Sequence, residues 1–472
     1  MKRGHIRPAL ADSARQASTA CVAGVGEGLA ARRTAFQILL RVELDHAFAD
    51  ILLGRQLHAF SPNDRRLITQ LVLGTITWRG RLDFELSHHS KRPLEQVAPE
   101  VLAALRMGLF QIRILSRVPH YAAVDTAVRL TKELVGEAVA GFVNAVLRKA
   151  IRTPAELPSR SLNEVEYLAI AYSHPQWLVE RLITWFGLPA AESLMAANNQ
   201  PAPNALRLNL ARGTPEAIVP QLALDGMKVA LRGRFPETVI LQGAPVLDGD
   251  AWRKGLFQLQ AEGSQLVSRL LAPCAQARVI DCAAAPGGKA THLAQLIGPA
   301  GKVLALDLNL SGLVRIRSAA RRLGYSNVSV ARADALLPLP VRPGSARFVL
   351  LDAPCTGLGT LREHPEIRWR LSESHIERMA SMQRQMLQQA AAIVAAGGVL
   401  VYAVCSIAPE EGPNVIRDFV ASNADFEVDR MPPAAEQLKS MLDGDGYMRT
   451  RPDIDGLDGF FAARLKRRKA AA

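Results

Sequence analysis

Cysteine is scarce in this chain and is not arranged to staple a fold. The 472 residues hold five cysteines, with no Cys-x-x-Cys pair and no dense framework. That excludes a disulfide scaffold and fits a reducing compartment, so a cytoplasmic protein is expected. No run reaches the roughly 18 apolar residues of a membrane span, so no membrane partner is expected. The first 30 residues lack the unbroken apolar stretch of a secretion signal, because Asp12, Arg15 and Glu27 interrupt it. Residues 1–30 read instead as a flexible tail. Gly-x-Gly-x-x-Gly is missing, and so is the Gly-Lys-Ser/Thr ending of a phosphate loop, which disfavours a dinucleotide or a triphosphate. His364 has no companion ligands at metal-binding spacing, and no metal is expected. No internal repeat is visible.

Acidic residues are the minority charge. Lys and Arg number 57 against 44 Asp and Glu, a formal net charge of +13. Through Arg152 there are 22 basic and 13 acidic residues, so most of the excess lies in the first third. Such an excess favours a polyanionic partner. It also separates a binding module from whatever chemistry lies further on.

Residues 31–152 are helical in pattern. Apolar residues recur at three- and four-residue steps in Leu67-Ile68-Leu71-Val72, Val101-Leu102-Leu105-Leu109 and Phe142-Val143-Val146-Leu147. Breaks fall at Ser61-Pro62, Arg92-Pro93, Val118-Pro119 and Thr153-Pro154. Basic pairs punctuate the helices at Arg65-Arg66, Arg79-Arg81 and Arg148-Lys149. Residues 153–255 carry many prolines and read as a helical connector with a small α+β subdomain, its strands near Ala205–Leu210 and Thr238–Leu241. Residues 256–472 alternate strands and helices. Candidate strands are Arg278–Asp281, Val303–Asp307, Val328–Val330, Phe348–Asp352, Val399–Tyr402 and Gly459–Leu465. Helices are expected over Leu310–Leu323 and Ile376–Ala396. Near-continuous apolar strands between helices predict a parallel sheet covered on both faces. The terminal Lys466-Arg467-Arg468-Lys469 run reads as a solvated tail.

Strand ends in such a sheet open onto a ligand crevice. The first strand runs into Cys282-Ala283-Ala284-Ala285-Pro286-Gly287-Gly288-Lys289, a turn of small residues before a helix. Small residues let the backbone approach a ligand, and the helix start supplies free amides. Asp307 ends the second strand, placed for ribose hydroxyls. Asp334 follows the third, placed for an adenine amine. Either acid alone would also serve as a helix cap. Together they suit an adenosine ligand without a phosphate chain, and S-adenosylmethionine is the economical candidate. Two further strands deliver cysteines: Asp352-Ala353-Pro354-Cys355 and Val404-Cys405-Ser406. Free cysteines are commonly just buried, but two thiols at one crevice beside such a cofactor suggest covalent chemistry. Ser406 lacks a His/Asp pattern and reads as a turn former.

These motifs, with His364-Pro365-Glu366-Ile367-Arg368-Trp369 and Asp458-Gly459-Phe460-Phe461, resemble the Nop2/Sun-type RNA cytosine-5 methyltransferases. The helical region resembles the NusB-type RNA-binding domain. Their fusion resembles the bacterial methyltransferases of 16S ribosomal RNA. The resemblance implies an α/β Rossmann-like methyltransferase domain, an N-terminal all-α NusB-like domain and a small α+β connecting subdomain. It implies S-adenosylmethionine held by residues 283–289, Asp307, Asp334 and Asp352. The RNA partner would be 16S ribosomal RNA, free or in an early assembly intermediate, and the enzyme a monomer. It implies Cys405 as nucleophile toward carbon 6 of cytosine, Cys355 as the thiol that assists release, and Asp352 at the base's nitrogen edge. The turn departs from the family at Ala283, where a cysteine is usual, and at Val404, where threonine is usual. Transfer RNA as substrate, and a non-catalytic RNA-binding factor, stand as the rival readings. Lys289 and the turn's amides are the candidates for ionising Cys405, and Arg315, Arg317, Arg321 and Arg322 for holding phosphates.

Overall fold

The computed structural model describes residues 27–433 and 435–469. The chain divides into two compact units, Met1–Glu156 and Leu157–Ala472. The tail expected over residues 1–30, and Cys21 within it, falls almost wholly outside the described residues. A helix already begins at Glu27.

The first unit is helical. Its centre is the helix Pro99–Arg113, buried at every position from Val101 to Ile112. Helices Glu27–Leu44, Pro62–Thr77, His120–Leu134 and Glu137–Arg152 pack around it. Local sequence sets the boundaries. Ser61 caps Pro62–Thr77 by accepting from Asp64 N at 3.2 Å, with proline at the first helical position. Some of the basic residues are spent internally. Arg106 is bound bidentately to Asp83 at 2.6 and 2.8 Å, and Arg79 to Glu43 at 3.0 and 3.1 Å. Arg79 is therefore a packing cation rather than part of a free basic face, whereas Arg66, Arg148 and Lys149 are exposed.

The second unit starts with helices Glu164–Ala171, Gln176–Phe186 and Leu188–Asn198. A small antiparallel sheet follows, made of β1 (Asn204–Leu208), β2 (Val229–Arg232), β3 (Thr238–Leu241) and β4 (Phe257–Leu259) in the order β2-β3-β1-β4. Phe257–Leu259 pairs with β1, so it closes the small sheet and does not open the larger domain.

The large sheet contains β5 (Arg278–Asp281), β6 (Lys302–Asp307), β7 (Val328–Arg332), β8 (Ala346–Asp352), β9 (Val394–Val404), β10 (Phe426–Val428), β11 (Met448–Thr450) and β12 (Phe460–Arg467). Its order is β10-β12-β9-β8-β5-β6-β7, with β11 paired to β12. β5 to β9 are parallel. β12 is antiparallel to β9, and β10 and β11 are antiparallel to β12. The expectation of a wholly parallel sheet is thus corrected at one edge, where the chain returns beside β9 from the opposite end. Alternate strand residues enter two cores. Val279, Ala305, Leu350 and Val401 face one, and Ile280, Leu306, Leu351 and Tyr402 the other.

The helix Ser374–Ile393 stops short of Ala396 because β9 begins at Val394. Gly397 there has φ +72°, and the register with β8 shifts. The terminal basic run is also corrected. β12 continues to Arg467, Lys466 pairs with Asp429 at 2.8 Å, and Arg468 bonds Glu427 at 3.2 Å. These cations bind the acids of β10 and its flank. No helix among the described residues is long and apolar enough to cross a membrane.

Candidate active site

The chain leaves β5, runs outward through β6 and β7, then crosses back to β8 on β5's other side. The strand ends beside this reversal are where a ligand crevice forms. Asp281 ends β5, and residues 282–287 turn into the helix Gly288–Ile297. Gly287 sits at φ +107°, which side-chain-bearing residues rarely adopt. Asp307, ending β6, accepts from Ala285 N and Asn309 N, both at 2.8 Å. It braces the turn. The cap of the following helix is Asn309, not Asp307. Asp334 follows β7 and accepts from Leu336 N at 2.9 Å, with no helix after it.

Lys289, in the helix's first turn, donates to Asp352 Oδ2 at 2.6 Å and lies 5.4 Å from the centroid of the Phe460 ring. Burial works against the Lys289 ammonium. Asp352 outweighs it, with Cys405 and Asp281 adding to the effect, and the pKa stays above the ordinary lysine value. The lysine therefore remains charged next to the cysteines.

β8 and β9 pair with Asp352 opposite Ala403. The residues just beyond both strands consequently emerge together. The sulfurs of Cys355 and Cys405 are 3.3 Å apart, each partly exposed. The hydrogen bond with Cys405, burial, and the charges of Cys405 and Glu411 push the Cys355 thiol well above its usual range. In the pair, Cys355 keeps its proton. Gly359 N donates to Cys405 O at 3.1 Å, and Gly459 N donates to Gly359 O at 2.7 Å. A Cβ on Gly359 would lie 1.9 Å from Gly459 O. Glycine is thus required where the two motifs cross. Cys282 is buried, with its thiol pushed up by burial and Asp281, and Cys274 is exposed.

The structure therefore brings Lys289, Asp352, Cys355 and Cys405 together, with Asp307 and Asp334 on the neighbouring strand ends. It removes one expected contributor. Arg322 stacks 3.3 Å from the Trp252 ring centroid and donates to the carbonyls of Trp252 and Phe257. Of that helix's four arginines, Arg315, Arg317 and Arg321 are exposed. Arg368 of the His364–Trp369 segment is fully buried and donates to Ser173 O, Asn198 O and Asn199 Oδ1. It anchors the segment to the connector helices.

Three residues were invisible to sequence reasoning. Asp281 is fully buried, and beyond a weak interaction with the Ala283 amide its carboxylate oxygens have no hydrogen-bond partner. Burial and the charge of Asp352, opposed by Lys289, push it up to about 8. Arg207 of β1 is buried and donates to Gly288 O at 2.6 Å and Thr291 Oγ1 at 2.8 Å. The small sheet thereby supports the turn into the helix Gly288–Ile297. Glu411, fully buried, accepts from Thr356 N and Ser406 Oγ. Only the Pro-Glu-Glu run at 409–411 could have hinted at it.

Comparison with known proteins is decisive on family. Residues 268–466 match the model described as 16S rRNA methyltransferase RsmB/F. Residues 29–152 match the NusB family, and residues 174–247 the ferredoxin-like domain of RsmF/B-like methyltransferases. A probable ribosomal RNA small subunit methyltransferase B of Bacillus subtilis is 31% identical over 93% of this chain and 98% of its own length. The chain belongs to the RsmB/F family. Another probable small subunit methyltransferase B, from Synechocystis, is 30% identical over 93% of this chain and 100% of its own. The crystal structure of PH0851 superposes with a TM-score of 0.80 at 28% identity, covering 94% of this chain and 100% of that one. The RsmB/F member described here is thus an RNA methyltransferase of the S-adenosylmethionine-dependent class. Its small α+β subdomain is ferredoxin-like, and its helical unit is NusB-type.

Two outcomes follow from this geometry. Gly359→Ala forces the loops apart and is expected to cost about 1–3 kcal/mol of stability and most of the methyl transfer. Wild-type activity with an unchanged urea midpoint would contradict the crossing. Asp281 carries a proton in the folded protein that the unfolded chain has lost between about pH 4 and pH 8, so its burial costs stability as pH rises through that window. Asp281→Asn removes the penalty. In ligand-free protein its urea midpoint is expected to gain on the wild type from about pH 5 to about pH 8, with a ceiling of about 6 kcal/mol. A constant gap would place Asp281 in an ordinary environment.

Proposed function

We propose that this chain transfers a methyl group to carbon 5 of a cytosine in 16S ribosomal RNA, through a transient bond between Cys405 Sγ and carbon 6. The observation that carries the reading is the contact of two thiols at adjacent parallel strand ends, 3.3 Å apart, beside the Lys289–Asp352 pair. The names of the relatives support small-subunit ribosomal RNA as the substrate.

The cofactor turn suits S-adenosylmethionine. Asp281 offers a buried carboxylate, poorly supplied with donors, for an ammonium, and Gly287 and Gly288 leave room against the backbone. Residues 283–289, with Asp352, would line the methionine part, Asp307 would accept from ribose hydroxyls, and Asp334 from the adenine amine. When bound, the cofactor supplies an electrophilic methyl group on a sulfonium.

Carbon 5 of cytosine is a weak nucleophile. Adding a thiolate at carbon 6 makes carbon 5 enamine-like and reactive. The Lys289 ammonium interacts electrostatically with Cys405, a setting that suits attack by its sulfur. Asp352, partly exposed and braced by Lys289, meets the exocyclic amine and the ring nitrogen as charge develops on the ring. After transfer, a water molecule takes the proton from carbon 5, the freed electron pair re-forms the double bond between carbons 5 and 6, and the Cys405 sulfur is expelled with the pair of the broken carbon–sulfur bond. The Cys355 thiol, still protonated, donates a hydrogen bond to that sulfur and assists its departure. A stacked base shields carbon 6, so the target cytosine is unpaired or flipped out. That favours free RNA or an early assembly intermediate. Exposed Arg66, Arg148 and Lys149 of the NusB-type unit would hold phosphates, positioning the RNA without selecting the base.

With labelled cofactor and deproteinised 16S RNA, Cys405→Ala is expected to lower methyl transfer by at least about a thousandfold. Cys355→Ala is expected to accumulate an RNA adduct that survives denaturant, and Cys405→Ala to form none. Equal adduct in both variants would reverse the roles, and bisulfite mapping identifies the nucleotide.

A further inference from the structure

Behind the two thiols lies a polar cluster that the reaction above does not use. Glu411 Oε1 accepts from Thr356 N at 2.8 Å and from Gln383 Nε2 at 3.0 Å. Its Oε2 accepts from Ser406 Oγ at 2.5 Å and from the Thr356 hydroxyl. Thr356 follows Cys355, and Ser406 follows Cys405. Gln383 also donates to Pro354 O at 2.9 Å, so the chain is held on both sides of Cys355. Tyr402 donates to the Glu411 carbonyl at 2.6 Å and fixes the residue's backbone. Among the described residues no cation forms an ion pair with Glu411. Four donated hydrogen bonds offset the cost of burying the carboxylate, and they leave its negative charge acting on its surroundings.

We propose that Glu411 is a positioning residue for the reaction: through Thr356 and Ser406 it holds the two sulfurs in contact, and its negative charge sets which of the two is the more reactive. This deepens the reading of Cys405 as nucleophile and rests on it. The charge of Glu411 is one of the influences that push the Cys355 thiol up, after the Cys405 hydrogen bond, burial and the Cys405 charge. Lys289, bonded to Asp352, interacts electrostatically with Cys405. One cation and one anion thus act on the sulfur pair, the cation on Cys405 and the anion on Cys355.

Glu411→Gln separates charge from shape. The amide oxygen still accepts from Thr356 N and Gln383, and the amide nitrogen donates to the two hydroxyls. The readout is iodoacetamide labelling of the full chain without RNA near neutral pH, with the modified cysteine identified by mass spectrometry. The wild type is expected to label mainly at Cys405. In Glu411→Gln the ratio of Cys355 to Cys405 label is expected to rise about threefold or more. A wild-type ratio overturns the proposal. Ser406→Ala removes one tie and keeps the charge. Its labelling ratio is expected to stay wild-type while kcat falls about threefold or more at unchanged KM for RNA. An unchanged kcat overturns the clamp. Binding of S-adenosylhomocysteine by calorimetry certifies that each variant is folded, and Ser406→Ala carries the test alone if Glu411→Gln does not bind it. Labelling needs no RNA, so failure here is distinct from failure of the nucleophile reading, which methyl transfer by Cys405→Ala would expose.

Discussion

Asp352 and Ala403 face each other in the parallel pairing of β8 and β9, and the chain leaves both strands at the same edge of the sheet. Everything at the site depends on that register. A shift of one residue would turn each strand's side chains to the opposite face, moving Asp352 away from Lys289 and parting the sulfurs. The register is held by both cores at once, because alternate residues of β8 and β9 are buried on the two faces of the sheet. The apolar interior thus fixes the strand register on which the polar site is built.

The polar groups then impose a cost that the surroundings must meet. Asp281, Asp352 and Glu411 are three carboxylates in one region, with Lys289 as the cation bonded to Asp352. Each is handled differently. Asp352 is partly exposed and ion-paired. Glu411 is buried and supplied with four donors. Asp281 is buried with only a weak interaction from the Ala283 amide, and its pKa rises accordingly. A buried carboxylate so poorly supplied with donors is poorly tolerated unless a ligand completes it, which is the ground for proposing it as part of the cofactor's seat. The ferredoxin-like subdomain takes part through Arg207, whose guanidinium donates to the carbonyl at the start of the cofactor helix.

Several features were legible in the chain because they are local. The turn before Lys289, the acids after β6 and β7, and the motifs around Cys355 and Cys405 each lie within a few consecutive residues. Helix breaks at proline and caps such as Ser61 are equally local. Features that depend on distant partners were misread. Arg79 and Arg322 looked like free cations, yet one is paired with Glu43 and the other stacked on Trp252. The basic run at the C-terminus looked like a tail, but it begins within β12, a strand paired on both sides, and binds Asp429 and Glu427.

What the order of residues determined alone was chemistry by type: which thiols, acids and glycines stand at strand ends, and that apolar strands alternate with helices. Backbone preference and hydrophobic period act over a few residues, and both are written in the chain. Which of those groups touch was decided only by the folded sheet. The return of β12 antiparallel to β9, the burial of Asp281, and the grip of Glu411 on two turns 50 residues apart all follow from strand order. Strand order is settled by the packing of whole layers, and no short stretch of sequence carries it.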